Sequence, residues 1–101
     1  MSFHLVFKEE ARLDVIEITQ WYDFKRTGLG DSFLIELDLV LDRIKHNPNE
    51  FQIKRKDIRH GILKRFPYLI IYRVEEKQIF IHSVIHSHRH PAKRYARLKK
   101  K

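Results

Sequence analysis

An α+β fold is predicted by three observations on the 101-residue chain. The apolar period is two over Phe3–Phe7, becomes helical from about Lys8, and returns to two from Ile58 onward. A glycine-rich break at Thr27–Gly28–Leu29–Gly30 divides the helical part in two. The stretch Lys64–Pro91 contains two strand-like runs joined by a tight acidic turn. The expected architecture is an N-terminal strand, then an antiparallel α-hairpin packed on one face of a twisted, mainly antiparallel sheet of about four strands.

The elements follow in order. Phe3–Phe7 is bulky and alternating, which suits a short strand. Ala11, Val15, Ile18 and Tyr22 fall at i, i+4, i+7 and i+11, one stripe of an amphipathic helix that Ile16 and Trp21 widen. Glycine at 28 and 30 accommodates a helix C-cap, and Asp31 or Ser32 is placed to cap a second helix. Its stripe is Phe33, Leu37, Val40, Leu41 and Ile44, and Asn47–Pro48 stops it. Ile58, His60, Ile62 and Lys64 alternate with Arg59, Gly61, Leu63 and Arg65, as in a half-exposed strand. Tyr68–Val74 and Gln78–His86 form a hairpin turning at Glu75–Lys77, apolar enough to be the sheet centre. Residues 92–101 are a basic tail, and the whole of 1–101 is expected to be one domain.

An apolar content of 43 % supports one modest core. Zero Cys excludes disulfides, thiolate metal sites and a Cys nucleophile, in keeping with a reducing cytosol. No 18-residue apolar stretch exists, and Met1–Phe7 is too short for a secretion signal, so a cytoplasmic protein with no membrane partner is expected. Charge is unevenly spread. Residues 1–50 carry 6 Lys/Arg against 10 Asp/Glu, a balance of −4, and residues 51–101 carry 15 against 3, a balance of +12, giving the net +8. The second half therefore favours a polyanion or an acidic protein segment.

Several features taken in order resemble the RelE/ParE superfamily, the toxins of bacterial type II toxin–antitoxin systems. They are Ala11, Asp14, Glu17 and Trp21–Tyr22 on the first helix, Gly28-Leu29-Gly30 with Phe33 opening the second, and Asn47–Pro48 closing it. Phe66-Pro67-Tyr68, Tyr72-Arg73-Val74 and His86-x-x-Arg89-x-Pro91 continue the match. The resemblance implies a growth-inhibiting toxin neutralised by a cognate antitoxin, with no cofactor. It also implies a choice of target. RelE-like members cut messenger RNA on the ribosome, whereas ParE-like members poison DNA gyrase without a nuclease site.

RNA cleavage needs a base, cations for the phosphorane and an acid for the leaving oxygen. By resemblance, Arg89 matches one RelE-like Arg and Tyr95 the C-terminal Tyr, with His86 available as a base. The Arg of the penultimate strand falls at Leu69, and such a donor is typically worth about 3 kcal/mol. The residues are thus closer to the ParE-like branch, with plasmid stabilisation and gyrase poisoning as the implied role. The alternative is an mRNA interferase using Arg89, Tyr95 and His86, and a third possibility is an inactive relative that only forms complexes.

The expected partner- or nucleic-acid-binding residues are Arg59, His60, Lys64, Arg73 and Arg89. Arg89 leaves a strand end, where a cation meets a ligand or pairs with the first helix. Tyr95 either stacks on a base or docks in a groove. His82, His86, His88 and His90 would share one face if the strand ran on, yet Pro91 limits it and nothing completes a ligand set, so no metal is expected. Trp21, Tyr22 and Phe66-Pro67-Tyr68 read as packing residues, and Glu9, Glu10, Asp14 and Glu17 as a solvated helix face.

Overall fold

The computed structural model describes residues 3–88. The elements are β1 (His4–Phe7), α1 (Glu9–Lys25), α2 (Leu29–His46), β2 (Ile53–Arg55), β3 (Ile58–Ile62), β4 (Tyr68–Glu75) and β5 (Gln78–His86). Among the described residues the sheet has five strands in the order β1-β5-β4-β3-β2. Only the β1–β5 pair is parallel. This is the expected α+β architecture with one strand more. The basic connection after α2 supplies β2, a short, wholly exposed edge strand bearing Lys54 and Arg55, the kind of charged edge that discourages pairing with other chains. No helix of the described residues is long and apolar enough to cross a membrane.

Both helices pack on one face of the sheet. Ala11, Ile18 and Tyr22 from α1, and Phe33, Leu37, Val40, Leu41 and Ile44 from α2, meet Ile70, Tyr72, Ile79, Ile81 and Val84 of the sheet in one core. Tyr22, Phe33, Phe66 and Tyr68 form an aromatic cluster in it, with ring centroids 5.0–6.2 Å apart and mostly edge-to-face contacts. The Phe66-Pro67-Tyr68 segment is therefore architectural, as its composition suggests. Tyr72 reaches further: its buried hydroxyl donates to the Pro48 carbonyl at 2.7 Å, and burial pushes its pKa up to about 12. This ties the chain leaving α2 to the central sheet.

The α-hairpin turns more tightly than the sequence suggests. The cap of α2 is Gly28 (φ 90°), not Asp31 or Ser32, so only three residues separate the helices. Gly28 is needed for its left-handed backbone. Gly30 is needed for space, because a Cβ there would stand 2.7 Å from the Thr19 carbonyl oxygen and from Asp23 Oδ1. That closeness lets Asp23 accept the Gly30 N–H at 2.8 Å, which satisfies one orphan donor of the new helix.

Two other expectations are corrected. Trp21 and Ile16 do not widen the core stripe, being 52 % and 41 % exposed. Asp14 is not part of a solvated face: it is buried, and its Oδ2 accepts the Val84 N–H at 3.0 Å. The pairing of β1 ends at Ile81, so β5 beyond that point has a free edge, and Asp14 satisfies a donor there. Glu36 is buried in the same way. Its Oε2 accepts the N–H groups of Lys64 and Arg65 at 2.6 and 2.8 Å. The pull of that carboxylate on the loop explains why β3 ends at Ile62 rather than running on to Arg65.

Candidate functional site

The register of the central strands decides which side chains share a face. Leu69 lies opposite Ile62 on one side and Ile85 on the other, and Ile71 opposite His60 and Ser83. His60, Leu69, Ile71, Ser83 and Ile85 occupy the face turned away from the helices, where Ile58, Leu69, Ile71 and Ile85 form a second apolar cluster, while Ile62 at the strand end borders α2. Leu69, the position of the RelE-like phosphate clamp, is thus surrounded by hydrocarbon. His60 is on this face but only 4 % exposed, so it is not a surface cation. Arg73 is there too, held by Glu75 at 2.9 Å and within 4.0 Å of Asp57.

His86 sits on the opposite face. The β4–β5 ladder slips between Ile71↔Ser83 and Tyr72↔Ile81, leaving His82 as the extra residue of a bulge. The alternation of β5 therefore shifts by one, and Ile79, Ile81 and Val84 all reach the helix-side core. Beyond them His86 also turns toward α1, with its ring edge-on to Tyr68 at 5.3 Å and 5.2 Å from the ring of His88. Its Nδ1 accepts the His88 N–H at 3.1 Å. His86 and Leu69 hence do not converge on one reaction centre. Arg89, Tyr95 and His90 lie outside the described residues. Among the described residues no three His, Asp or Glu side chains gather as a metal ion requires.

Among the described residues, two of the concavities along the α-hairpin border residues singled out from the sequence. One, of about 230 Å³, lies between α1 and the ends of β4 and β5, with Asp14, Glu17, Trp21, Tyr68 and His86 in its wall. The other, of about 440 Å³, runs between α2 and the loop after β3, where Leu39, Val40 and Ile62 are framed by Arg43, Lys64 and Arg65. Leu39 and Ile62 are exposed there, an apolar floor whose rim carries Arg43, Lys64 and Arg65 against the single exposed carboxylate of Asp42. Of the cations expected to meet a partner, Lys64 stands at this rim. Arg59 does not, because its guanidinium donates to the backbone carbonyls of Asn49 and Phe51 at 3.4 and 2.5 Å.

The residues that sequence reasoning missed are Arg65, Arg43, Glu36 and Trp21. Arg65 has a 76 % exposed side chain and only a distant ion pair, 3.9 Å, with Glu36. Arg43 is paired with Glu50 at 2.6 Å yet remains at the mouth of the groove.

With this geometry in view, the comparisons with known proteins are specific. Residues 5–91 match the family model described as the ParE toxin of type II toxin–antitoxin system, parDE. A chain from a structure of the chromosomal ParDE TA system from P. aeruginosa superimposes with a TM-score of 0.74 at 17 % identity. The superposition covers 83 % of this chain and 95 % of that one, a likeness of fold. No curated protein matches the sequence.

Proposed function

The chain belongs to the ParE toxin family of type II toxin–antitoxin systems, and from that premise we propose that it inhibits growth by poisoning DNA gyrase in the cytosol, until an antitoxin neutralises it. The observation that carries this choice of target is the surroundings of Leu69. A phosphorane needs a cation close to its equatorial oxygens. At this position the neighbours across both strands are Ile62 and Ile85, and His86 is on the other side of the sheet. Leu69 is itself buried among these neighbours, so this position supplies no cation to a phosphorane.

Neutralisation is assigned to the α2 groove. Its apolar floor and the rim of Lys64, Arg65 and Arg43 complement an amphipathic antitoxin segment that buries Leu or Val and offers Asp or Glu. The contacts that already engage Arg59 and Arg73 make Lys64 and Arg65 the better donors to those acids.

Parallel assays test the target. Purified toxin is expected to block gyrase-dependent supercoiling or accumulate cleaved DNA, while leaving messenger RNA intact on translating ribosomes. Codon-positioned cuts that vanish in Arg89→Ala and Tyr95→Phe would overturn the gyrase reading. Arg89→Ala is expected to abolish toxicity with little change in melting temperature, as for a charge that serves a partner rather than the fold.

A further inference from the structure

The concavity on the α1 flank has a different character from the rest of the molecule. In a chain of net charge +8, the described residues of its wall include two carboxylates, Asp14 and Glu17, and among them neither Lys nor Arg. Three rings, of Trp21, Tyr68 and His86, complete the wall around an apolar floor that includes Ile18 and Val84. We infer that this pocket binds the cationic head of an Arg or Lys side chain. The source, resting on the toxin–antitoxin reading above, is the antitoxin, which would place one basic anchor here in addition to the acids it offers the α2 groove.

Each element of the wall selects for that chemistry. Two carboxylates disfavour phosphate and carboxylate ligands by direct repulsion. A volume of about 230 Å³ is below the roughly 300–1,000 Å³ of sites for whole small molecules, and it suits one side-chain head. The Asp14 carboxylate is fixed by its bond to the Val84 N–H, so it need not be ordered on binding. The indole of Trp21 already attracts one cation, with Lys25 Nζ 4.9 Å from its centroid, and half of its surface is open.

Trp21 is the single tryptophan of the chain, so its emission reads this pocket directly. Titrating the full-length protein with N-acetyl-arginine amide is expected to give a saturable change with a roughly millimolar midpoint, since an exposed cation–π contact and ion pair are individually weak. The uncharged isostere N-acetyl-citrulline amide is expected to give none. Glu17→Gln should weaken the arginine probe by about fivefold, the upper end for one exposed charge. Glu10→Gln, on the same helix but outside the pocket, should leave it unchanged. Equal responses to both probes, or no saturable response to either, overturn the site. With the antitoxin itself, Glu17→Gln should raise Kd by about threefold to fivefold, and equal affinity of wild type and variant overturns the antitoxin as the source. An antitoxin that fails to bind the wild type at all sinks the antitoxin reading instead, and the probe titration then decides the pocket by itself.

Discussion

The two flanks of the α-hairpin share an anchoring device and differ in what they show to solvent. On each side a buried carboxylate reaches from a helix to backbone N–H groups of the sheet or of the loop that leaves it. Asp14 of α1 accepts from the Val84 N–H, and Glu36 of α2 from those of Lys64 and Arg65. Around Asp14 the mouth is aromatic and acidic, whereas around Glu36 it is aliphatic, with Arg43, Lys64 and Arg65 against Asp42. The anchors belong to folding, and the mouths are what the proposed recognition uses. One helical hairpin can therefore offer two chemically opposite surfaces without altering its core.

Removing the anchors is the strongest way to break this parallel. Glu36→Ala orphans two backbone donors, so a loss on the order of 3 kcal/mol is expected, or roughly 10–20 °C in melting temperature. Asp14→Ala orphans the Val84 N–H inside the sheet, and a loss of about 1–3 kcal/mol is expected. Unchanged thermal melts for either variant would mean that these carboxylates do not anchor the helices.

The α2 flank is fixed a second time by Tyr72, and pH exposes that contribution. A phenol whose folded pKa lies above its unfolded value holds its proton more tightly in the native state. Its stabilisation is therefore full below pH 10 and is lost as pH rises toward 12. Denaturant titrations should show wild type losing roughly 2–3 kcal/mol more than Tyr72→Phe over that window. Parallel pH profiles for the two proteins would refute the assignment.

The smallest effect on stability sharpens the contrast between the mouths. Replacing Lys64 and Arg65 with Gln together should weaken antitoxin binding by about tenfold at moderate salt, yet change stability by no more than about 0.5 kcal/mol, since their side chains are exposed and only the backbone N–H groups meet Glu36 closely. An affinity indifferent to both the replacement and the salt concentration would move the antitoxin off the α2 groove.

Much of the fold is legible from periodicity: the helical stripes, the stop at Asn47–Pro48 and the central hairpin all appear where the apolar spacing puts them. The anchors were overlooked although the same spacing signals them. Asp14 falls three residues after Ala11 and four before Ile18, and Glu36 three after Phe33 and four before Val40. A carboxylate inside an apolar stripe must meet a donor in the core. Which donor it meets depends on where distant strands end, and no local pattern carries that. The bulge at His82 is hidden for a related reason. Residues 79–85 are apolar or small almost throughout, so the point where the alternation slips leaves no mark in the composition. That slip decides the face on which His86 lies, and with it how much of the nuclease constellation can assemble.

The parallel pairing of β1 with β5 has a consequence in time. His4 and Gln78 are partners across most of the chain, and so are Phe7 and Ile81. While the polypeptide is being made, the first strand has nowhere to dock until the last one has emerged. At roughly 5–20 residues per second, the interval between the two is about 4–15 s. Throughout it the apolar stripe of α2, from Phe33 to Ile44, has no completed sheet to cover it. The α1 flank waits on that last strand too, because β5 supplies Val84 to Asp14, and Tyr68 and His86 come together only when β4 and β5 pair. The α2 flank is drawn from α2 and the loop after β3, so its parts are all made before β5, and the two mouths come into being at different times.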